Sequence, residues 1–143
     1  MKSRWKPVAL ILAALMIIAG FVIYSNIQHP AFLKSSIDSS KVSEIEIFDG
    51  NTGKRYKITE QSSIEHIVNN LNSITFVKDK SSKNYSGFSF NTTIKDKDGD
   101  SIWNGTINSS DTIIYNEYFY IDKSSSVDYN YIKNLLASKT PIN

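Results

Sequence analysis

The sequence predicts an α+β protein: an N-terminal transmembrane helix, then a two-layer domain in which an antiparallel sheet carries two amphipathic helices on one face. Three observations support this. A long apolar run opens the chain, two pairs of segments alternate apolar and polar residues, and two segments repeat apolar residues at helical spacing. Amphipathic helices and alternating strands each have one apolar side, and a single core buries both. The predicted order is two strands, a helix, three to five strands and a last helix.

The apolar run extends from Val8 to Ile27 and contains no charged residue. At about 1.5 Å per residue, a helix of this length spans roughly 30 Å, the thickness of the hydrocarbon core of a bilayer. Residues 1–7 contain Lys2, Arg4 and Lys6 and no acidic residue, so they are predicted to be a cytoplasmic tail. Residues 8–27 are therefore predicted to cross the cell membrane once, with the rest of the chain extracellular.

A cleaved secretory signal peptide is the alternative interpretation of this run, because it also begins with basic residues followed by an apolar segment. The run is longer than the roughly 7–15 apolar residues of a signal peptide. Val22, Tyr24 and Asn26 offer no pair of small residues for cleavage, and the chain has no cysteine for lipoprotein processing. A retained anchor is the prediction, and cleavage stays open.

Composition indicates a bacterial envelope protein. A chain with no cysteine cannot form disulfides outside the cell, which is unusual for a secreted eukaryotic domain. The chain has 16 basic and 14 acidic residues, and 13 basic residues remain when those of the N-terminal tail are removed. The exterior part is thus nearly neutral and has no basic cluster. Nucleic acid is therefore excluded as a partner.

Residues 28–41 are predicted to form a stalk, because Pro30 ends the helix and the serines that follow do not favour regular structure. The domain is predicted to cover residues 42–138, with residues 139–143 as a tail.

The domain begins with a predicted hairpin, in which Val42–Asp49 pairs with Lys54–Ile58 across a four-residue loop. One face of this hairpin is apolar and the other carries charge pairs. The register places Asp49 opposite Lys54, Ile47 opposite Tyr56, Ile45 opposite Ile58 and Glu46 opposite Lys57.

The first domain helix has a predicted capping box, in which Ser62 caps the helix and Glu65 reaches back. Residues 74–78 are predicted to be the next strand and residues 79–86 a polar loop. The inner stripe of the helix consists of Ile64, Ile67, Val68 and Leu71.

A second hairpin is predicted over Gly87–Asn108, with Asp98-Gly99 as a two-residue type I′ turn that opposes Lys97 to Asp100. The core pairs are Ile94–Trp103 and Phe90–Ile107. The other face is a polar ladder of Thr93–Asn104, Asn91–Thr106 and Ser89–Asn108.

The C-terminal third contains one or two strands within residues 112–121 and a last helix from about 127 to 138, which the serines of 124–126 are predicted to cap. The inner stripe of that helix is Ile132, Leu135 and Leu136, with Tyr129 or Tyr131 at its edge.

Candidate catalytic residues are scarce. The two histidines are His29, beside the membrane exit, and His66, which is predicted to be solvated on the first domain helix. A Ser-His-Asp arrangement through His66 has no supporting motif. No catalytic, cofactor-binding or metal-binding residue is assigned, and no cofactor is expected.

One string of alternate aspartates has some features of a cation site. Asp96, Asp98 and Asp100 could offer oxygen ligands to calcium, but the glycine and the twelfth position do not match an EF-hand loop. The preferred interpretation is a hairpin turn with solvated ends, and calcium binding stays open.

Two surfaces are candidates for ligand binding. Aromatic residues crowd the C-terminal third, and they are interpreted as core residues with hydroxyls at the rim, with a sugar or peptide platform as the alternative. The polar ladder is interpreted as a solvated face, with binding of a glycan or an extended partner segment as the alternative. The aromatic set is Tyr115, Tyr118, Phe119, Tyr120, Tyr129 and Tyr131.

The chain combines an anchor, a short stalk, the I-x-I-x-D-G-x-T-G-K hairpin at Ile45–Lys54, the LNSI helix exit at Leu71–Ile74 and the Asp-Gly hairpin. This layout resembles that of small uncharacterised envelope proteins of Gram-positive Firmicutes, and the resemblance covers most of residues 42–136. It implies a compartment and a fold. The family provides no catalytic or binding residues to carry over.

The sequence therefore predicts a single-pass membrane protein that contacts the bilayer through residues 8–27. Its extracytoplasmic, non-enzymatic domain is predicted to bind an envelope component or a membrane partner. An anchored or secreted hydrolase is one alternative. Another is a small immunity or stress factor that acts through its transmembrane helix, where Ala13, Ala14 and Ala19-Gly20 permit close packing.

Overall fold

The computed structural model describes residues 5–142, and the chain divides into two compact units, one ending at Ala31 and one beginning at Phe32. The first contains helix α1, Trp5–Gln28. Its segment Val8–Ile27 has a mean hydropathy of 2.6 and is not buried within the protein. A helix of this length and composition is suited to cross a membrane or to serve as a signal sequence. Lys2, Arg4 and the Lys6 side chain, on which the predicted orientation depends, lie outside the described residues.

The second unit is an α+β domain, as predicted. Within the described residues, eight strands form one curled antiparallel sheet in the order β1-β4-β8-β7-β6-β5-β2-β3. The elements are β1 Phe32–Lys34, a 3-10 turn Ser39–Lys41, β2 Val42–Asp49, β3 Lys54–Ile58, α2 Gln61–Ser73, β4 Thr75–Ser81, β5 Phe90–Asp96, β6 Ser101–Ile107, β7 Thr112–Tyr115, β8 Tyr118–Ile121 and α3 Tyr129–Ala137.

One cluster of buried side chains joins the sheet to α2 and α3, and we call the side of the sheet that contributes to it the core face. Burying each large aliphatic side chain stabilises the fold by about 1.5–3 kcal/mol. The predicted stripe of α2 is fully buried, whereas Leu135 of α3 is only partly buried. The cluster includes Ile45, Ile47, Ile58, Ile64, Ile67, Val68, Leu71, Phe76, Phe90, Ile94, Trp103, Ile107, Tyr120, Ile132 and Leu136.

The predicted register of the first hairpin is confirmed, including the pairs Ile45–Ile58 and Glu46–Lys57. The core pairs of the second hairpin, Ile94–Trp103 and Phe90–Ile107, are confirmed as well. In both hairpins the paired apolar residues lie on the core face, and a register slip by one residue would expose them.

The structure differs from the predicted stalk at residues 32–41, which belong to the second unit. Strand β1 pairs with β4, and Leu33 and Ile37 pack against the core cluster. The Asn72 side chain accepts a hydrogen bond from the Ile37 N–H at 3.0 Å and donates one to its carbonyl oxygen at 2.7 Å. Two apolar residues four positions apart are too few to establish a strand or helix period, so the sequence did not predict this packing.

The predicted capping box is wrong. Helix α2 begins at Gln61 with Glu60 at the N-cap and no side-chain cap. The Gln61 side chain donates to Glu65 at 3.1 Å, and Glu60 accepts from Lys139 at 2.6 Å. That contact ties the helix start to a residue of the predicted C-terminal tail, a distant partner that a local motif cannot include.

The polar loop predicted at residues 79–86 begins later than expected. The last helix ends close to its predicted end. Strand β4 continues to Ser81, where it pairs with Tyr118. The region 112–121 forms two strands, β7 and β8.

Helix α3 starts at Tyr129, and the serines before it do not cap it. Instead, the backbone N–H groups of Ser124 and Ser126 donate hydrogen bonds to the Asp122 carboxylate.

The predicted two-residue Asp-Gly turn is wrong. The Asp96 N–H donates to the Asp100 carbonyl at 3.0 Å, which leaves a three-residue loop, 97–99. Gly99 has a φ of +87°, and its N–H donates to the Asp96 carbonyl at 3.2 Å. This is a type I turn followed by a left-handed residue.

Candidate functional site

The first aspartate of the candidate calcium string, Asp96, is used by its own loop. One Asp96 carboxylate oxygen accepts the backbone N–H of Asp98 at 3.0 Å and that of Asp100 at 2.9 Å. In the described part of the chain, no three His, Cys, Asp or Glu side chains are grouped as a metal site would require. The string thus acts as a turn in this structure.

The His66 side chain has two partners, which differs from the prediction that it is simply solvated. Its Nε2 lies 2.7 Å from a carboxylate oxygen of Asp128, and its ring stacks on Tyr131 with centroids 3.7 Å apart. The Asn70 side chain donates to the Ser126 carbonyl at 2.9 Å and accepts from the Asp128 N–H at 3.0 Å. These contacts fasten the start of α3 to α2, and this arrangement explains His66 structurally.

The outer face, opposite the core face, carries two of the three predicted pairs of the polar ladder, and Ser89 lies before the start of β5. The pairs Asn91–Thr106 and Thr93–Asn104 are confirmed. Asn91 and Asn104 are exposed, and Thr93 and Thr106 are half-buried. Their amides and hydroxyls both donate and accept hydrogen bonds, so this face suits a ligand rich in hydroxyl groups.

An ion-pair network lies beside the ladder. Glu44 pairs with Lys57 at 2.9 Å and with Lys95 at 3.1 Å, and Lys95 also pairs with Glu46 at 3.0 Å. Hydrogen bonds from Lys57 and Lys95 hold the pKa of the Glu44 carboxyl below its usual value. The bonds of Lys95 to Glu46 and Glu44 raise the pKa of its ammonium group. The two carboxylates and the two ammonium groups neutralise one another, so the network contributes little net electrostatic potential.

A connection across the outer face supplies aromatic rings that the sequence analysis did not place there. We call residues 82–89, between β4 and β5, the strap. Tyr85 contacts Phe119 edge to face with centroids 5.0 Å apart, and Phe88 packs on Phe48 at 5.7 Å. Tyr85 remains 49% exposed and Phe88 42% exposed. The strap therefore presents two half-exposed rings beside the polar ladder.

Two recesses lie on the outer face, and Tyr85 of the strap lines the second. The first, of about 160 Å³, includes Phe48, Arg55, Asn91 and Thr93, and the Arg55 guanidinium lies 4.9 Å from the centre of the Phe48 ring. The second, of about 310 Å³, is lined by Asp79, Lys80, Tyr85, Asn108, Thr112, Phe119 and Ile121. Each recess combines an aromatic ring with polar side chains.

The aromatic residues of the C-terminal third divide between the two faces. Tyr120 is fully buried on the core face, and burial raises the pKa of its phenol. Phe119 is 8% exposed beneath Tyr85 on the outer face. The remaining four are partly buried: Tyr115, Tyr118, Tyr129 and Tyr131. They form a rim of the core, as interpreted from the sequence, while Phe119 joins the outer surface.

No protein family model, no curated protein and no solved structure matches this chain.

Proposed function

We propose that this protein is a single-pass membrane protein whose non-enzymatic, extracytoplasmic domain binds a glycan of the bacterial cell envelope through its outer face. In this proposal α1 is a retained anchor, the N-terminus is cytoplasmic and the domain lies outside the cell. The resemblance to small Firmicute envelope proteins belongs to the same proposal.

The strap carries the proposal. A sheet face that serves only solubility needs no aromatic rings, yet the strap places Tyr85 and Phe88, each about half exposed, against the outer face. Aromatic rings contact the apolar side of sugar rings, and neighbouring amides and hydroxyls bind their hydroxyl groups. Asn91 and Thr93 line a recess with Phe48, the ring on which Phe88 packs, and Asn108 lines a recess with Tyr85 and Phe119.

Charge favours a neutral glycan over a polyanion. The first recess contains Arg55 with Glu46, and the second contains Lys80 with Asp79, so each holds one charge of either sign. A surface that follows a chain of phosphates requires a stripe of one sign. We further propose that α2 and α3 both cover the core face, which would leave the outer face open to a polymer.

The alternative functions are an anchored or secreted hydrolase and an immunity or stress factor that acts through α1. The His66–Asp128 pair gives a hydrolase its only candidate histidine, but this pair already fastens α3 to α2. Exchanging α1 for an unrelated anchor should leave glycan binding intact under our proposal and abolish the activity of a factor that acts through its helix.

Topology is tested by a reporter that is active only outside the cytoplasm. Fused after Asn143, it should be active, and mass spectrometry of the mature protein should recover residues 1–28. A soluble form that begins near residues 25–30 would show that α1 is cleaved.

Glycan binding is tested with the full-length protein in detergent and purified cell-wall glycan, by co-sedimentation. Tyr85→Ala and Asn104→Ala should each weaken binding by about tenfold, the loss of roughly 1.4 kcal/mol of contact. Asn130→Ala is the matched control, because Asn130 is an exposed asparagine on α3. The proposal is refuted if all variants co-sediment with the glycan equally, or if the parent protein does not co-sediment with it.

A further inference from the structure

A cleft of about 400 Å³ lies between the start of β6 and the segment that leads from β1 to β2. We call it the Trp103 cleft. Ile37 and Ile102 supply aliphatic surface, and Trp103 and Tyr115 supply aromatic surface. Small-molecule sites are commonly of this size and are mostly apolar with a few polar groups. The cleft involves the core face of the sheet, so it is separate from the outer face on which the proposed glycan function rests.

The indole N–H of Trp103 is an unsatisfied donor. Trp103 is 7% exposed, and its Nε1 is buried with no hydrogen-bond acceptor in the described part of the chain. The ring lies tightly on Gly105, where an added Cβ would come within 2.7 Å of Cη2, and it stacks near Tyr115 at 6.2 Å. Because the ring is held on both sides, it cannot turn to find a partner. Buried polar groups are normally hydrogen-bonded, so this one indicates an acceptor from outside the chain.

The rim of the cleft is basic. Lys34 and Lys41 line it together with a single acidic residue, Asp38. The Asp38 carboxylate accepts hydrogen bonds from the Ser40 N–H at 3.1 Å and the Ser40 hydroxyl at 2.7 Å, and Lys41 is 3.9 Å away. Asp38 is therefore engaged locally, and the rim attracts an anion.

One side chain beside the indole, Ile102, is placed to move. Ile102 is 42% exposed and lies in the irregular step of β6, between Ser101, opposite Lys95, and Trp103, opposite Ile94. Residues 35–38 connect β1 to the 3-10 turn, and Asn72 holds Ile37 there through hydrogen bonds to its N–H and its carbonyl oxygen. Ile102 is therefore the side chain whose movement would let a ligand approach the indole N–H, because it lies outside the β5–β6 register.

We propose that the Trp103 cleft binds a small aliphatic carboxylate. Its apolar chain lies against Ile37, Ile102 and Tyr115. Its carboxylate is attracted to Lys34 and Lys41 and accepts a hydrogen bond from the indole N–H of Trp103. The ligand thus supplies an acceptor for the buried donor and, beside Asp38, a second negative charge for the two lysines of the rim.

The test uses full-length protein with Trp5→Phe in a lipid nanodisc, because Trp5 and Trp103 are the only tryptophans in the sequence. Nitrogen-15 labelling then gives a single indole N–H resonance. Millimolar octanoate should move it downfield, as a new hydrogen bond does, with saturation. Octan-1-ol, which has the same chain without the charge, should move it much less.

Lys34→Gln with Lys41→Gln should weaken octanoate binding by at least about tenfold, whereas the exposed control Lys123→Gln should not change it. Trp103→Phe, checked for folding by circular dichroism, should weaken binding measured by calorimetry to a similar degree. The inference is overturned if octanoate leaves the indole resonance unmoved, if octan-1-ol acts equally, or if the lysine variants bind as the parent does.

Discussion

In two hairpins of the same sheet, the loop at the tip differs in length from the loop that the sequence suggests. The β5–β6 hairpin contains Asp98-Gly99, a preferred two-residue turn, yet it forms a three-residue loop. The β7–β8 hairpin has no glycine at its tip, yet it forms a two-residue loop in which Asn116 and Glu117 have φ values of 45° and 66°. Turn type therefore does not follow from the dipeptide alone.

In the β5–β6 hairpin, a side chain determines the loop. Asp96 accepts two backbone N–H groups with one oxygen, which holds a type I turn. The extra loop residue would shift the register by one, but the irregular step at Ile102 restores it, so Trp103 still faces Ile94. The core thus determines the register, and the loop adapts to it.

In the β7–β8 hairpin, distant contacts determine the loop. The Glu117 carbonyl accepts the Ser82 N–H at 2.8 Å, and its carboxylate pairs with Lys83 at 3.3 Å. Both partners belong to the strap. A non-glycine residue in a left-handed conformation costs about 1–2 kcal/mol, and the docked strap offsets it.

The largest expected effect tests whether the core sets the β5–β6 register. Trp103→Ala leaves a cavity opposite Ile94 and should destabilise the domain by about 3–5 kcal/mol. The measurement is thermal unfolding of the full-length protein by near-ultraviolet circular dichroism. Asn104→Ala, one residue later on the outer face, should change stability by less than about 0.5 kcal/mol. Similar melting temperatures for both variants would mean that the core does not hold this register.

The next comparison exchanges side chains at the two tips. Gly99→Val should destabilise by about 2 kcal/mol, because a β-branched residue resists a positive φ. Glu117→Gly should instead stabilise by about 0.5 kcal/mol, since relief of the left-handed conformation exceeds the loss of an exposed ion pair. The measurement is the midpoint of urea unfolding. If both variants shift this midpoint in the same direction, this explanation of the two turns is refuted.

A third prediction concerns acid sensitivity at the end of the β7–β8 hairpin. Burial would raise the pKa of the Asp122 carboxyl, but hydrogen bonds from Ser124 and Ser126 outweigh it and lower the pKa below its ordinary value. A lowered pKa in the folded state gives stability that is present above the unfolded pKa of about 4 and is lost as the pH falls through the folded pKa.

Asp122→Asn keeps one acceptor oxygen and should destabilise by about 1.5 kcal/mol at pH 7, the value of one charge-assisted hydrogen bond. The difference in melting temperature from the parent protein should shrink between pH 5 and pH 2, a range scanned in small steps. A constant difference over that range would exclude Asp122 as a source of acid sensitivity.

A smaller effect is expected at Asp96. Asp96→Ala removes the acceptor of two exposed backbone N–H groups and should destabilise by about 1 kcal/mol. Asp96→Asn keeps an oxygen there and should change stability by no more than about 0.5 kcal/mol, as should Asp100→Asn. Equal losses for Ala and Asn would show that the charge, not the acceptor, holds the loop.

The smallest expected effect is none. If the aspartates only form a turn, millimolar calcium should leave the melting temperature as it is in EDTA. A bound calcium at 100 times its dissociation constant would stabilise the fold by about 2.7 kcal/mol. A rise of several degrees that Asp96→Asn abolishes would establish a calcium site in this loop.

The sequence by itself determined what depends on regular repetition along the chain. The apolar run predicts helix α1, the alternation of β2, β3, β5 and β6 predicts their core pairs, and the Ile64–Leu71 stripe predicts the buried side of α2. These features follow because each strand or helix has one side to bury, and a wrong register would expose that whole side.

Only the tertiary structure decided what depends on single contacts between distant residues. The strap docks through Tyr85 and Phe88, and Glu60 meets Lys139. The Asn72 side chain on α2 accepts a hydrogen bond from the Ile37 N–H, although the two residues are 35 positions apart in the sequence. Such contacts have no period, since one side chain meets one partner wherever the fold brings them together. The candidate binding surfaces consist largely of these contacts, and the physical reason they escape sequence analysis is that they exist only after the sheet has formed.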